Sequence, residues 1–113
     1  MRNGLYSIHM ELLDGQTGKG SGVIVFRDGT IRGGDAFLFY TGSYTFEGGR
    51  WKGELITNQH TPSPASVAIF SGREVSIGFS GTYTDDRAEA NGTALVGKMS
   101  LNFRGTLRRL ADL

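Results

Sequence analysis

The sequence predicts a small all-β domain, an eight-stranded antiparallel up-and-down barrel made from the whole of residues 1–113. Three observations predict it. The chain holds eighteen glycines and two prolines, and no stretch longer than ten residues is free of both. A glycine inside a helix costs ~1 kcal/mol relative to alanine and ordinary helices run to ~11 residues, so helices have almost nowhere to sit, whereas short strands fit easily. Apolar side chains recur at every second position, the period of a half-buried strand. Turn signals rich in Asp and Gly separate these alternating runs.

The elements follow in order. The first strand covers 4–13, where Tyr6, Ile8, Met10 and Leu12 alternate with Ser7, His9 and Glu11, and Asp14-Gly15 closes it. Strands at 20–27 and 30–33 flank Asp28-Gly29, a pair suited to a tight hairpin because Gly accepts positive φ. After the break at Gly33-Gly34-Asp35 comes a strand at 36–46, and Gly48-Gly49 turns it into the next at 50–60. There Trp51 and Leu55 share a face, and Ile56 breaks the pattern. Residues 61–73 hold Pro62 and Pro64 and read as a loop, with one short helical turn near Ala65–Ile69. The sixth strand, 74–84, alternates Val75, Ile77 and Phe79 with Ser76, Gly78 and Ser80. The last two are 87–97 and 99–108, the latter with Met99, Leu101, Phe103, Gly105 and Leu107 on one face.

An internal repeat supports the meander. Tyr40-Thr41-Gly42-Ser43-Tyr44-Thr45 matches Phe79-Ser80-Gly81-Thr82-Tyr83-Thr84, and the same offset sets Gly53 opposite Gly92. Eight strands in so short a chain must curl or leave long edges. Closure removes the edges, and Gly42, Gly53, Gly81, Gly92 and Gly105 permit the bends. A two-sheet sandwich is the competing fold. Two strands, at Val23–Phe26 and Ala36–Tyr40, are apolar on both faces. One face fills the barrel and the other needs a cover. A homodimer through Phe37 and Leu38 supplies one. The 61–73 loop, with Val67, Ile69 and Phe70, supplies the alternative.

Composition narrows the function. There is no cysteine, so disulfides and thiolate metal sites are excluded, and the formal charge is only +1. A nucleic-acid binder shows a clear basic excess or stripe, whereas here Arg104, Arg108 and Arg109 read as a solvated strand end. No apolar run approaches the ~18 residues of a spanning helix and no secretory pattern opens the chain, so a soluble cytoplasmic protein without membrane contact is expected. Gly18-Lys19-Gly20-Ser21-Gly22 fails the spacing of a phosphate-binding loop, and Ser21 lacks the glycines of a nucleophile elbow. His9 and His60, the only histidines, show no metal-ligand spacing and read as strand histidines. Asp85-Asp86 reads as a hairpin turn. The sequon Asn91-Gly92-Thr93 falls inside a strand. These readings predict no catalytic residues, no metal and no cofactor. Tyr6, Phe39, Tyr44, Trp51, Phe79, Tyr83 and Phe103 are candidate lining residues, because a barrel of this size either fills itself or holds one small ligand. An apolar-ligand carrier is therefore the alternative to a partner-binding protein.

Asn3-Gly4-Leu5-Tyr6-Ser7-Ile8, Gly20-x-Gly22, Gly33-Gly34-Asp35 and Tyr40-x-Gly42 together resemble the GrlR family, small negative regulators of bacterial type III secretion. The likeness is clearest over residues 1–46. It implies a lipocalin-like barrel, often dimeric, that sequesters a transcriptional activator in the bacterial cytoplasm without catalysis or direct nucleic-acid contact. In the founding member an acidic run after the Tyr-x-Gly strand contacts the activator. The corresponding stretch here is Phe46-Glu47-Gly48-Gly49-Arg50, with a single acid and a basic Arg50. The activator contact itself does not carry over, and Glu47 and Arg50 are left as candidate residues for a protein partner.

Overall fold

The computed structural model describes residues 1–13, 19–62, 64 and 74–113. The Asp14-Gly15 turn, the helical turn near Ala65–Ile69 and the covering loop with Val67, Ile69 and Phe70 lie outside them. Eight strands run β1 (Gly4–Leu12), β2 (Lys19–Arg27), β3 (Thr30–Gly34), β4 (Leu38–Glu47), β5 (Arg50–Gln59), β6 (Val75–Tyr83), β7 (Arg87–Val96) and β8 (Met99–Ala111). Each pairs antiparallel with its sequence neighbour, and β1 pairs with β8 to close the barrel. The sandwich is thereby excluded.

The turns are chemically determined. Asp28 and Gly29, and again Gly48 and Gly49, have positive φ at both central positions, the type I′ geometry that matches the twist of the flanking strands. Gly97 carries the β7–β8 hairpin with φ 63°. Asp85-Asp86 forms the β6–β7 turn, where the Thr84 amide donates to Arg87 O. Two strand ends differ from the sequence reading by more than one residue. β4 starts at Leu38, two residues late, because Asp35 Oδ1 accepts from the Phe37 and Leu38 amides and holds them in an Asx turn. β8 runs on to Ala111, because a bulge at Leu5/Tyr6 keeps it paired with β1 after its alternation has ended.

Pairing register sets the inside. Tyr6 opposes Ile24, Ile24 opposes Gly33, Gly33 opposes Tyr40, and Tyr40 opposes Thr57. Around the ring this buries Tyr6, Ile8, Ile24, Phe26, Ile31, Tyr40, Tyr44, Trp51, Leu55, Val75, Ile77, Leu101, Phe103 and Leu107 in one core. Two expectations for β4 are corrected by the same register. Phe39 belongs to the odd, outward set and is 42% exposed, so it does not line the interior. Leu38 belongs to the inward set and packs against the core, and Phe37 sits half-buried in the Asx turn. The outward apolar face therefore presents Phe39 with Val23 and Ile56, not Leu38.

The repeat acquires a physical meaning. A Cβ on Gly42 would overlap the Glu54 carbonyl oxygen, and one on its repeat mate Gly81 would overlap that of Glu89. At both corners the neighbouring backbone passes where a side chain would start, which only glycine permits. Gly105 is different: its nearest contacts would be Ala90 O at 3.9 Å and Met10 Cγ at 4.0 Å.

Candidate functional site

The barrel has a base, where the β2–β3, β4–β5 and β6–β7 hairpins meet both chain ends, and a mouth at the opposite end. The base is plugged by aromatics. Phe26 takes Tyr6, Tyr44 and Trp51 edge to face at centroid distances of 5.1, 5.3 and 5.4 Å, the geometry favoured by ring quadrupoles. Two of the polar tips have partners: Tyr6 Oη donates to Arg2 O at 2.6 Å, and Trp51 Nε1 donates to Glu89 O at 2.9 Å. Burial pushes the Tyr6 and Tyr44 phenols above their ordinary value.

Above this plug lies an apolar cavity of about 50 Å³, lined by Ile8, Met10, Phe79, Gly92, Phe103 and Gly105 among others. An apolar cavity that takes one benzene measures ~150 Å³, so side chains largely fill this barrel. Of the candidate lining residues, Tyr6, Tyr44, Trp51 and Phe103 are buried inside, and Phe79 and Tyr83 are half-buried against the same core.

Arg109 departs from the expected solvated strand end. It opposes Tyr6, so its side chain turns inward at the base, 17% exposed, and pairs with Asp86 and Asp112. Arg104 pairs with Glu89 at 3.6 Å and Arg2 with Asp112 at 3.3 Å. Two of the three arginines at the C-terminal end thus have acidic partners, and no basic stripe forms there.

At the mouth, a polar cluster escaped the sequence reading. Tyr40 Oη donates to Asp35 Oδ2 at 2.6 Å. Burial, then that bond and the carboxylate charge, push the Tyr40 phenol well above its ordinary value of 10.0. His60 Nε2 lies 3.0 Å from the Asp35 carbonyl, and its Nδ1 lies 2.7 Å from Thr61 Oγ1. A carbonyl only accepts, so Nε2 carries a proton and ties β5 to the Asx turn. His9 sits exposed on the outer wall between Ser21 and Thr106. Among the described residues no group of three His, Asp or Glu side chains is placed to hold a metal ion, and no helix is long and apolar enough to cross a membrane.

Glu47 and Arg50 oppose each other across the Gly48-Gly49 turn, both exposed. Beside them Phe46 is 47% exposed, stacked on Tyr44 at 6.1 Å and edge-on to Tyr83 at 5.7 Å. A shallow groove of Thr45, Phe46, Glu47, Arg50, Lys52 and Ser80 runs from this tip along the outer wall. The sequence marked Glu47 and Arg50 but not Phe46; the register puts Phe46 on the inward side of β4 with Tyr44, and its place at the strand end leaves it half outside. Neither a scan against known protein-family models nor a search of characterised proteins returns a match for this chain.

Proposed function

We propose that this chain is a non-catalytic binding protein that engages a protein partner through the outside of its barrel, as a regulator holding a transcriptional activator would. The observation that carries the reading is the β4–β5 hairpin tip. Phe46 is a large aromatic anchor, half in solvent, immobilised by Tyr44 and Tyr83 and flanked by Glu47 and Arg50. Aromatic and Arg side chains on a rigid support are the composition of binding hot spots. The filled interior supports the same choice of surface.

The test is capture from a bacterial lysate with the wild-type chain and with Phe46→Ala and Arg50→Glu variants of unchanged circular dichroism. One protein should be retained by the wild type and lost, by tenfold or more, with each variant. Equal capture by all three overturns the reading, as does turnover of esters or phosphates that disappears on substituting His9 or His60. The apolar lining of the interior favours one second reading, a carrier of a small apolar ligand that swings Met10 aside to enlarge the cavity. Native mass spectrometry of gently purified protein decides it: bound mass supports the carrier, and a bare 12.2 kDa chain overturns it.

A further inference from the structure

We infer that Arg87 and Arg108, side by side on the outer wall of β7–β8, form a binding site for a phosphate monoester. The register sets these two residues directly opposite each other. The next pair, Ala88 and Leu107, is buried, so both arginines point outward, and both are exposed. Like charges directly opposed across a sheet destabilise it. Elsewhere the register matches acid to base where charges meet, as in Glu11 with Arg104 and Glu47 with Arg50.

The acids closest to the pair are engaged by other residues. Glu89 opposes Thr106 and so stands diagonal to both Arg104 and Arg108, and it pairs with Arg104 at 3.6 Å. Asp86, next to Arg87 in the chain, pairs with Arg109. Among the described residues neither Arg87 nor Arg108 has an ion pair. Of the three arginines at the C-terminal end, Arg108 is thus the one that the fold leaves without an acid, and it faces a second cation instead.

The spacing selects the ligand. Directly opposed residues on one face hold their Cβ atoms ~5 Å apart, so the two guanidiniums converge on one group. A phosphate monoester brings nearly two negative charges and three acceptor oxygens at neutral pH. One such group offsets both cations and accepts a bidentate fork from each. A carboxylate or a phosphodiester brings a single charge and leaves one cation uncompensated. Two small hydroxyl residues border the pair, Ser7 opposite Arg108 on β1 and Thr106 beside it on β8. Ser7 Oγ lies 3.4 Å from the Arg108 carbonyl oxygen, a long bond that it can exchange for a ligand oxygen. The inference does not rest on the partner reading, because none of these residues belongs to the 46–50 tip.

The experiment is an NMR titration of the isotope-labelled chain with methyl phosphate at neutral pH and constant ionic strength. The Arg87 and Arg108 Nε–H signals should shift saturably, with a dissociation constant of about 1–10 mM, as befits exposed charges. Dimethyl phosphate and acetate, each a monoanion, should bind at least tenfold more weakly. Arg87→Gln and Arg108→Gln should each weaken methyl phosphate binding at least tenfold with unchanged circular dichroism. Arg108→Glu should abolish binding and raise the urea midpoint of the free barrel, because an ion pair replaces the repulsion. A phosphoserine peptide that binds more tightly than methyl phosphate identifies a phosphorylated protein as the source of the group; equal or weaker binding identifies a small phosphate ester. The absence of a saturable shift, equal binding of dimethyl phosphate or acetate, Gln variants that bind like wild type, or an Arg108→Glu barrel no more stable than wild type each overturns the proposal.

Discussion

Gly105→Ala should stabilise the barrel, and the structure says by how much. Gly105 faces inward between Ala90 and Met10, with which it is paired across β7 and β1. The added methyl would sit 3.9 Å from Ala90 O and 4.0 Å from Met10 Cγ, ordinary contact distances, and would project into the 50 Å³ cavity that Gly105 helps to line. Burying one such carbon is worth ~0.8 kcal/mol. Restricting the unfolded chain adds ~0.4–1 kcal/mol. The sum is ~1–2 kcal/mol, or about 4 °C in Tm per kcal/mol for a chain of this length. Gly81→Ala is the control. It is the same chemical change on the same inner face, but its methyl would overlap the Glu89 carbonyl oxygen, which is backbone and cannot step aside. Overpacking of that kind costs about 3 kcal/mol. Urea unfolding followed by Trp51 fluorescence measures both, with the m-value as a check that the unfolded state is unchanged. The account of these glycines is refuted if Gly105→Ala is destabilising, or if Gly81→Ala lies within ~0.5 kcal/mol of wild type.

Three further outcomes are expected. Phe26→Ala removes the ring at the centre of the aromatic plug and should cost ~3–5 kcal/mol, with a red shift of Trp51 emission; a cost under ~1.5 kcal/mol would show the plug collapsing to fill the gap. Asp35→Ala strips the acceptor from two amides and from Tyr40 Oη and should cost ~2–4 kcal/mol, whereas Asp35→Asn, which keeps the Asx turn, should lose less than half as much. The phenols of Tyr6, Tyr40 and Tyr44 have folded pKa values raised above 10.0, so their contribution to stability is complete below pH ~10 and declines as pH rises beyond it. Absorbance at 295 nm should therefore show these three ionising together with alkaline unfolding, and free titration of all of them near pH 10 in the folded state would contradict the burial described.

Most of the fold was legible because glycine and turn chemistry are local. Asp28-Gly29 and Gly48-Gly49 declare type I′ hairpins in four residues, and Val75, Ile77 and Phe79 declare a face by alternation. β4 was not legible, because a strand apolar on both sides does not state which side is inside. That is decided by Gly42 opposing Leu55 and Ile31, pairings that only the closed ring fixes. Ile56, visible as a break in alternation, was a further hint of an apolar outer wall beside the doubly apolar runs at Val23–Phe26 and Ala36–Tyr40. Arg109 misled for the reverse reason: a charge at a strand end reads as solvated, and only its opposition to Tyr6 turns it inward. The Asp35–Tyr40–His60 cluster joins residues 25 apart through a turn and a backbone carbonyl, and no spacing in the sequence encodes it.

The single seam between β1 and β8 has a kinetic consequence. Every other pairing joins consecutive strands, so each can form as soon as its two segments exist, with only a short loop to close between most of them. The seam alone must gather the two ends of the chain, a closure whose entropy is ~4 kcal/mol for a loop of ~100 residues. Nearly all of the long-range search in folding is concentrated there. Substitutions along Tyr6–Leu12 and Phe103–Leu107 should slow folding, whereas those in the hairpins β4–β5 and β6–β7 should mainly speed unfolding. The Arg2–Asp112 and Arg109–Asp86 pairs stand beside that seam. They act after the search, lengthening the lifetime of a ring that has already closed.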